Sequence, residues 1–169
     1  MQIQQSNNPG QSSQSSANDF DFFIGSWHVA HRRLKDRLVG STEWVSFTGS
    51  GVTQKILGGL GNMDDNVLEL PGDPYRAVTL RTFNPDTHQW SIWWLDGRHP
   101  GNLDTPVVGG FENQVGTFYA DDTLAGKVIR VRFLWAMPEP DKPRWEQAFS
   151  PDGGETWEVN WIMDFTRST

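Results

Sequence analysis

His31 and Arg33 stand two residues apart in the segment Trp27 to Leu34, and alternation along an extended strand puts them on one face with Trp27 and Val29. An imidazole beside a guanidinium inside a pocket supplies a group that moves a proton and a group that stabilises an oxyanion. Further along the chain Arg132, Glu146 and Asn160 are read as facing the same interior, because ionic groups on adjacent strands then satisfy one another. Arg81, Trp44 and Trp93 complete a set that would line a cavity with cations and large rings. Two functions fit these residues. One is a binding module for an aromatic or apolar molecule whose acidic or carbonyl group meets an arginine. The other is a cofactor-independent lyase, isomerase or hydratase, with His31 or Glu146 as acid/base and Arg33 or Arg132 at the oxyanion. A plainer role competes at each position: Arg33, Arg81 and Arg132 as struts to Glu43, Glu146 or Asp164, and His31 as a hydrogen-bonded core histidine.

Other chemistries are poorly supplied. The chain has no cysteine, so disulfides, thiolate nucleophiles and Cys-based zinc sites are excluded. His28 and His31 fall on opposite faces of a strand, His88 lies in a turn, and Asp64-Asp65 lacks the alternating carboxylates of a calcium loop. The glycines of Leu57 to Asn62 are followed by neither Lys-Ser/Thr nor a helix, so no nucleotide loop is read there. Neither metal nor cofactor is expected. With 14 Lys+Arg against 21 Asp+Glu the formal charge is −7, the wrong sign for a general binder of nucleic acid or anionic membrane. No apolar run approaches the roughly 18 residues of a membrane span, and the N-terminus lacks a basic start and an apolar core. The expectation is a soluble, cytoplasmic protein whose partner is a small molecule, with homodimerisation open.

The elements that must position these groups are short. Seventeen Gly and ten Pro cut the 169 residues into brief segments, while nine Trp and ten Phe supply bulky core material. A chain of this length buries roughly 70% of its unfolded surface, enough for one unstapled core. Residues 1–17, rich in Gln, Ser and Asn, read as a disordered tail, and residues 18–169 as one domain. A short helix capped by Asn18 or Asp19 is predicted over Phe20 to Ile24. Strands are predicted at Trp27–Leu34, Thr42–Thr48, Gly51–Leu57, Tyr75–Phe83, Gln89–Leu95, Val107–Glu112, Gly116–Tyr119, Lys127–Ala136, Arg144–Phe149 and Trp157–Thr166, with a weaker one at Asn66–Leu70. Hairpin-linked strands without βαβ alternation point to an all-β, antiparallel, up-and-down barrel of about eight to ten strands.

Gly25-Ser26-Trp27, directly after the short helix, resembles the G-x-W signature of lipocalins and wider calycin barrels, and Arg167 stands where that family stacks a late arginine on the tryptophan. The segments DFDFFIGSW, HRRL, LGGLGN, LRTFNPDTHQWSIWW, PVVGGF, RVRFLW, RWEQAFSPDGGETWE and NWIMDFTR resemble a widespread bacterial family of lipocalin-like proteins that has no settled activity. The resemblance implies a calycin fold and marks Arg33, Arg81, Trp93, Arg132, Arg144, Trp145, Glu146, Gln147, Trp157, Asn160 and Trp161. Gly25, Trp27 and Arg167 take structural roles in it. Ser150 to Trp157 is similar to the Asp box of sialidase-type propellers; one copy in a short chain reads as a hairpin loop capped by Asp152.

Overall fold

The computed structural model describes residues 14–169. Ten strands follow in order: β1 (Gly25–Leu34), β2 (Trp44–Ile56), β3 (Gly61–Leu68), β4 (Tyr75–Asn84), β5 (Gln89–Asp96), β6 (Val107–Glu112), β7 (Val115–Leu124), β8 (Lys127–Glu139), β9 (Lys142–Ser150) and β10 (Glu158–Arg167). Each pairs antiparallel with its neighbour in sequence. β10 closes the ring on β1, from Arg167 opposite Trp27 to Trp161 opposite Arg33. Closure leaves no edge unpaired. No helix among the described residues is long and apolar enough to cross a membrane.

Three expectations change in detail. Gly49-Ser50-Gly51, read as a turn, lies inside β2, which runs unbroken for 13 residues. Gly49 and Gly51 are there because the interior is crowded: a Cβ on Gly49 would sit 2.5 Å from the Val67 carbonyl and 2.7 Å from His31 Nε2, and one on Gly51 2.7 Å from Asn66 Oδ1. The capped helix at Phe20 is a 3-10 turn at Asp21–Phe23 with no side-chain cap. The packed chain also begins earlier than Asn18. Ser15 is buried and accepts from the Phe111 N–H at 2.9 Å, and Trp90 Nε1 donates to the Ser16 carbonyl. The rest of the expected tail, residues 1–13, lies outside the described residues.

The two barrel ends differ. One is plugged by Phe20, Phe23, Trp27, Trp90, Phe118, Trp135 and Phe165, all buried. Phe23 stacks on Trp27 at 5.3 Å, Trp27 Nε1 donates to the Phe23 carbonyl, and the Arg167 guanidinium lies 4.2 Å over the Trp27 ring. Arg167 also donates to the Ile24 and Phe22 carbonyls, tying β10 to the chain that enters β1. At the other end the β1–β2, β3–β4, β5–β6, β7–β8 and β9–β10 connections surround an opening. Asp152 shapes the last of these, accepting from the Thr156 N–H and hydroxyl and from the Ser150 hydroxyl. Those bonds hold its carboxyl down at about 2.

Candidate functional site

Register fixes which face of each strand looks inward. With Trp27 buried in the plug, Val29, His31 and Arg33 follow it inside, and pairing carries the inner set to Phe47, Tyr75, Trp94, Phe133, Trp145, Gln147, Phe149 and Trp161. A cavity of about 220 Å³ opens among Arg33, Arg37, Tyr75, Trp94, Phe133, Trp145, Gln147, Phe149 and Trp161, with Asp96, His99 and Asp104 at its rim. A cleft of about 740 Å³ lies above it between the mouth loops and shares Arg33 and Arg37. The mouth cleft is larger, but its walls are mainly loop aliphatics and exposed chains such as Val39 and Val128. The inner cavity joins the rings to the cations, which is what recognition of a specific small molecule needs.

Arg33 lies 4.7 Å over the Trp161 ring and Arg37 5.9 Å from the Phe149 ring. Burial lowers the pKa of Arg33, offset in part by Tyr75 and Asp96. Burial, then repulsion from Arg33, brings Arg37 down to about 10, so both stay cationic at neutral pH. Among the described residues neither guanidinium lies within ion-pair distance of a carboxylate. Arg37 Nε is buried without a partner. Arg98 is different: it pairs with both Asp96 and Asp73 and stacks 3.6 Å from Tyr75, and its hydrogen bonds hold Asp96 below the usual carboxylate range. Asp104 moves the other way, raised by burial first and then by Asp122 and Asp96.

His31 is 4% exposed and stacks on Phe47 at 4.5 Å. Its Nδ1 accepts a hydrogen bond from Trp161 Nε1 at 3.2 Å, so it carries no proton there. Burial and then Arg33 lower its pKa to about 4. It orients the ring on which Arg33 rests and is poorly placed to act as a base near neutrality.

The structure separates several residues expected to converge. Arg132 and Glu146 face outward, because β8 and β9 turn Val131, Phe133, Trp135, Trp145, Gln147 and Phe149 inside. Arg132 stacks 4.5 Å over Trp157 on the outer wall, and on that face Asp164 pairs with Arg144, N–O 2.6 Å, and with Arg32 at 3.8 Å. Trp93 faces out opposite Leu80 while Trp94 lines the cavity, and Trp44 is exposed beside Leu34 at the start of β2. Arg81 is interior but belongs to the plugged end: it donates to Asn62 at 2.8 Å, pairs with Asp64 at 3.1 Å and lies between the Phe20, Phe23 and Trp135 rings. Its strut partner is therefore Asp64, not Glu43, Glu146 or Asp164. Asn160 is fully buried and accepts from Gln147 Nε2 at 2.8 Å, which orients the Gln147 amide in the cavity wall. Of the expected binding residues, Arg33 alone both lines the cavity and is free of a carboxylate.

No family model matches the chain, nor does any curated protein. Among solved structures, the S-type phycobiliprotein lyase CPES from Guillardia theta superposes with a TM-score of 0.56, covering 89% of this chain and 90% of that one at 9% identity. The fold is a closed antiparallel barrel of the lipocalin-like type. At that identity the likeness concerns the fold, and the side chains of the cavity carry the functional argument.

Proposed function

We propose that this barrel binds a small, flat aromatic or apolar molecule carrying a carboxylate or similar acceptor, and that the chain belongs to the bacterial lipocalin-like family its motifs resemble. The observation that carries the ligand reading is the pair Arg33 and Arg37, two cations without carboxylate partners that face a cavity walled by Trp94, Trp145, Trp161, Phe133 and Phe149. A half-buried cation costs desolvation energy unless something anionic meets it, and a planar guanidinium meets a carboxylate through two hydrogen bonds. The fold neighbour's being a phycobiliprotein lyase is consistent with a small-molecule cavity in this architecture.

The test uses the cavity tryptophans as reporters. Their fluorescence is followed during titration with 2-naphthoate and with 2-naphthylmethanol, which share a ring system and differ in charge. The carboxylate should bind roughly 10-fold tighter or more, since a hydrogen bond to a charged group contributes about 1.5–3 kcal/mol. Equal affinities would remove the anion from the reading.

One observation favours a second reading, a cofactor-independent lyase or isomerase: the Asp104 carboxyl at the cavity rim is held above its ordinary range. The acid would then be Asp104 and not His31 or Glu146, with the arginine pair at the oxyanion. Asp104→Asn would abolish turnover of such a substrate and leave its affinity unchanged.

A further inference from the structure

Below the ligand cavity, between its aromatic walls and the plug, lies a separate space of about 30 Å³ lined by Asp64, Asn66, Thr79, Arg81 and Trp135 together with apolar side chains. Trp94, Phe133 and Trp145 bound both this space and the cavity above it. Three of its lining residues hold a buried polar atom with no partner among the described residues: Asp64 Oδ1, Arg81 Nε and Trp135 Nε1. Asp64 and Arg81 are each 3% exposed and Trp135 2%. Their remaining polar atoms are engaged, Arg81 through Nη1 to Asn62 and through Nη2 to Asp64 Oδ2. A buried donor or acceptor left unmatched costs about 1–3 kcal/mol, so three of them around one small space call for a common partner.

The inventory of the three atoms defines that partner. Arg Nε and Trp Nε1 only donate, and a carboxyl oxygen of an ion-paired aspartate accepts. The guest must accept two hydrogen bonds and donate one, which describes a hydroxyl oxygen. A carboxylate or carbonyl oxygen has nothing to donate to Asp64, and an ammonium has nothing to accept from Arg81 and Trp135. The volume agrees, since a site needs about 10–15 Å³ of such space to admit a water and this one has about 30 Å³, room for a single oxygen.

We propose that the floor of the barrel is a binding site for one hydroxyl oxygen, filled by water in the free protein and by the terminal hydroxyl of the ligand when one reaches it. The ligand half of this proposal rests on the cavity reading above, and it narrows the ligand class to a molecule with an acceptor at one end and a hydroxyl at the other. Tyr75 at the mouth and Arg81 at the floor are six residues apart on β4, about 20 Å of strand, or about 15 Å along the axis of a tilted barrel.

Two measurements on the full chain test it. The first is oxygen-17 magnetic relaxation dispersion of water on the parent and on Trp135→Phe, which keeps a ring and removes one donor. One long-lived water should be present in the parent and absent from the variant; the same dispersion in both would overturn the water half. The second needs no variant and compares the affinity of the parent for 12-hydroxydodecanoate and dodecanoate, probes of suitable length that differ by one hydroxyl. The hydroxylated acid should bind at least 5-fold tighter and displace the long-lived water. Equal binding of the two acids with the water retained would overturn the ligand half. Should neither acid bind, the ligand half is overturned, 2-naphthoate binding decides whether the cavity reading falls with it, and the dispersion result still decides the water site by itself.

Discussion

His31 shows how burial changes what a residue can do. The same imidazole that would serve as a base on an open strand is enclosed by Phe47 and Trp161, accepts an indole N–H and takes up a proton only near pH 4. In the unfolded chain it protonates near 6.5, so between those values the unfolded state binds more protons. The stabilisation from keeping His31 neutral is complete above pH 6.5 and is lost as pH falls toward 4, a change of about 3 kcal/mol. NMR titration of the imidazole should give a midpoint near 4, and denaturation curves for the parent should weaken across that window more than those for His31→Gln. Glu146 and Asp64 make a second contrast. Glu146 lies on the outer wall with no ion pair among the described residues, whereas Asp64 neutralises Arg81 inside the plug. Glu146→Gln should change the unfolding free energy by less than ~1 kcal/mol, and Asp64→Asn, which leaves a buried guanidinium uncompensated, should cost about 3–5 kcal/mol. Chemical denaturation at neutral pH separates the two, and a large loss at Glu146 would mean that its face has been misassigned.

Most strands were readable from the chain, because apolar alternation and Gly, Pro and Asn turns mark them at short intervals, though β2 was split in two and one end of β3 and of β7 was missed by five residues. Strand faces were harder. In β8 and β9 both faces carry bulky residues, so period-two alternation has two solutions. The cost of burying charge decides between them: the all-apolar set Val131, Phe133 and Trp135 goes inside, and Arg130 and Arg132 stack on Tyr119 and Trp157 outside. The same consideration would have found Trp145 and Gln147 as wall residues. Arg37 was not within reach of such reasoning, because it lies in the β1–β2 connection, where no periodicity assigns a direction. Gly49-Ser50-Gly51 misled for a related reason, since glycine marks both a turn and a place where another chain passes close. That gives a test at the level of β2. Gly49→Val should destabilise the barrel by roughly 1–3 kcal/mol through overpacking against the Val67 carbonyl and His31. Gly40→Ala, at an open position in the β1–β2 connection, serves as the comparison, its cost limited to backbone strain at φ +75. Equal losses in the two variants would say that Gly49 is not crowded.

Six of the nine tryptophans divide between two interior tasks. Trp27, Trp90 and Trp135 seal one end with Phe20, Phe23 and Phe165, while Trp94, Trp145 and Trp161 wall the cavity under the open end. An aromatic excess was visible in the composition; its partition between plug and wall required the closed ring and its register. The cations divide likewise, with Arg81 and Arg167 fastening the plug and Arg33 and Arg37 facing the cavity. Because Arg33 has no carboxylate partner among the described residues, removing it strands no buried counter-charge and should leave stability unchanged or raised. Function and stability then separate in one variant. The deciding measurement is calorimetric titration of the parent and of Arg33→Met with 2-naphthoate, alongside their thermal midpoints. Saturable one-to-one binding to the parent, weakened roughly 10-fold or more in Arg33→Met at an unchanged or higher midpoint, is the predicted result. Equal affinity in the two proteins, or no saturable binding to the parent, would contradict the assignment of this barrel as a receptor for an anionic ring.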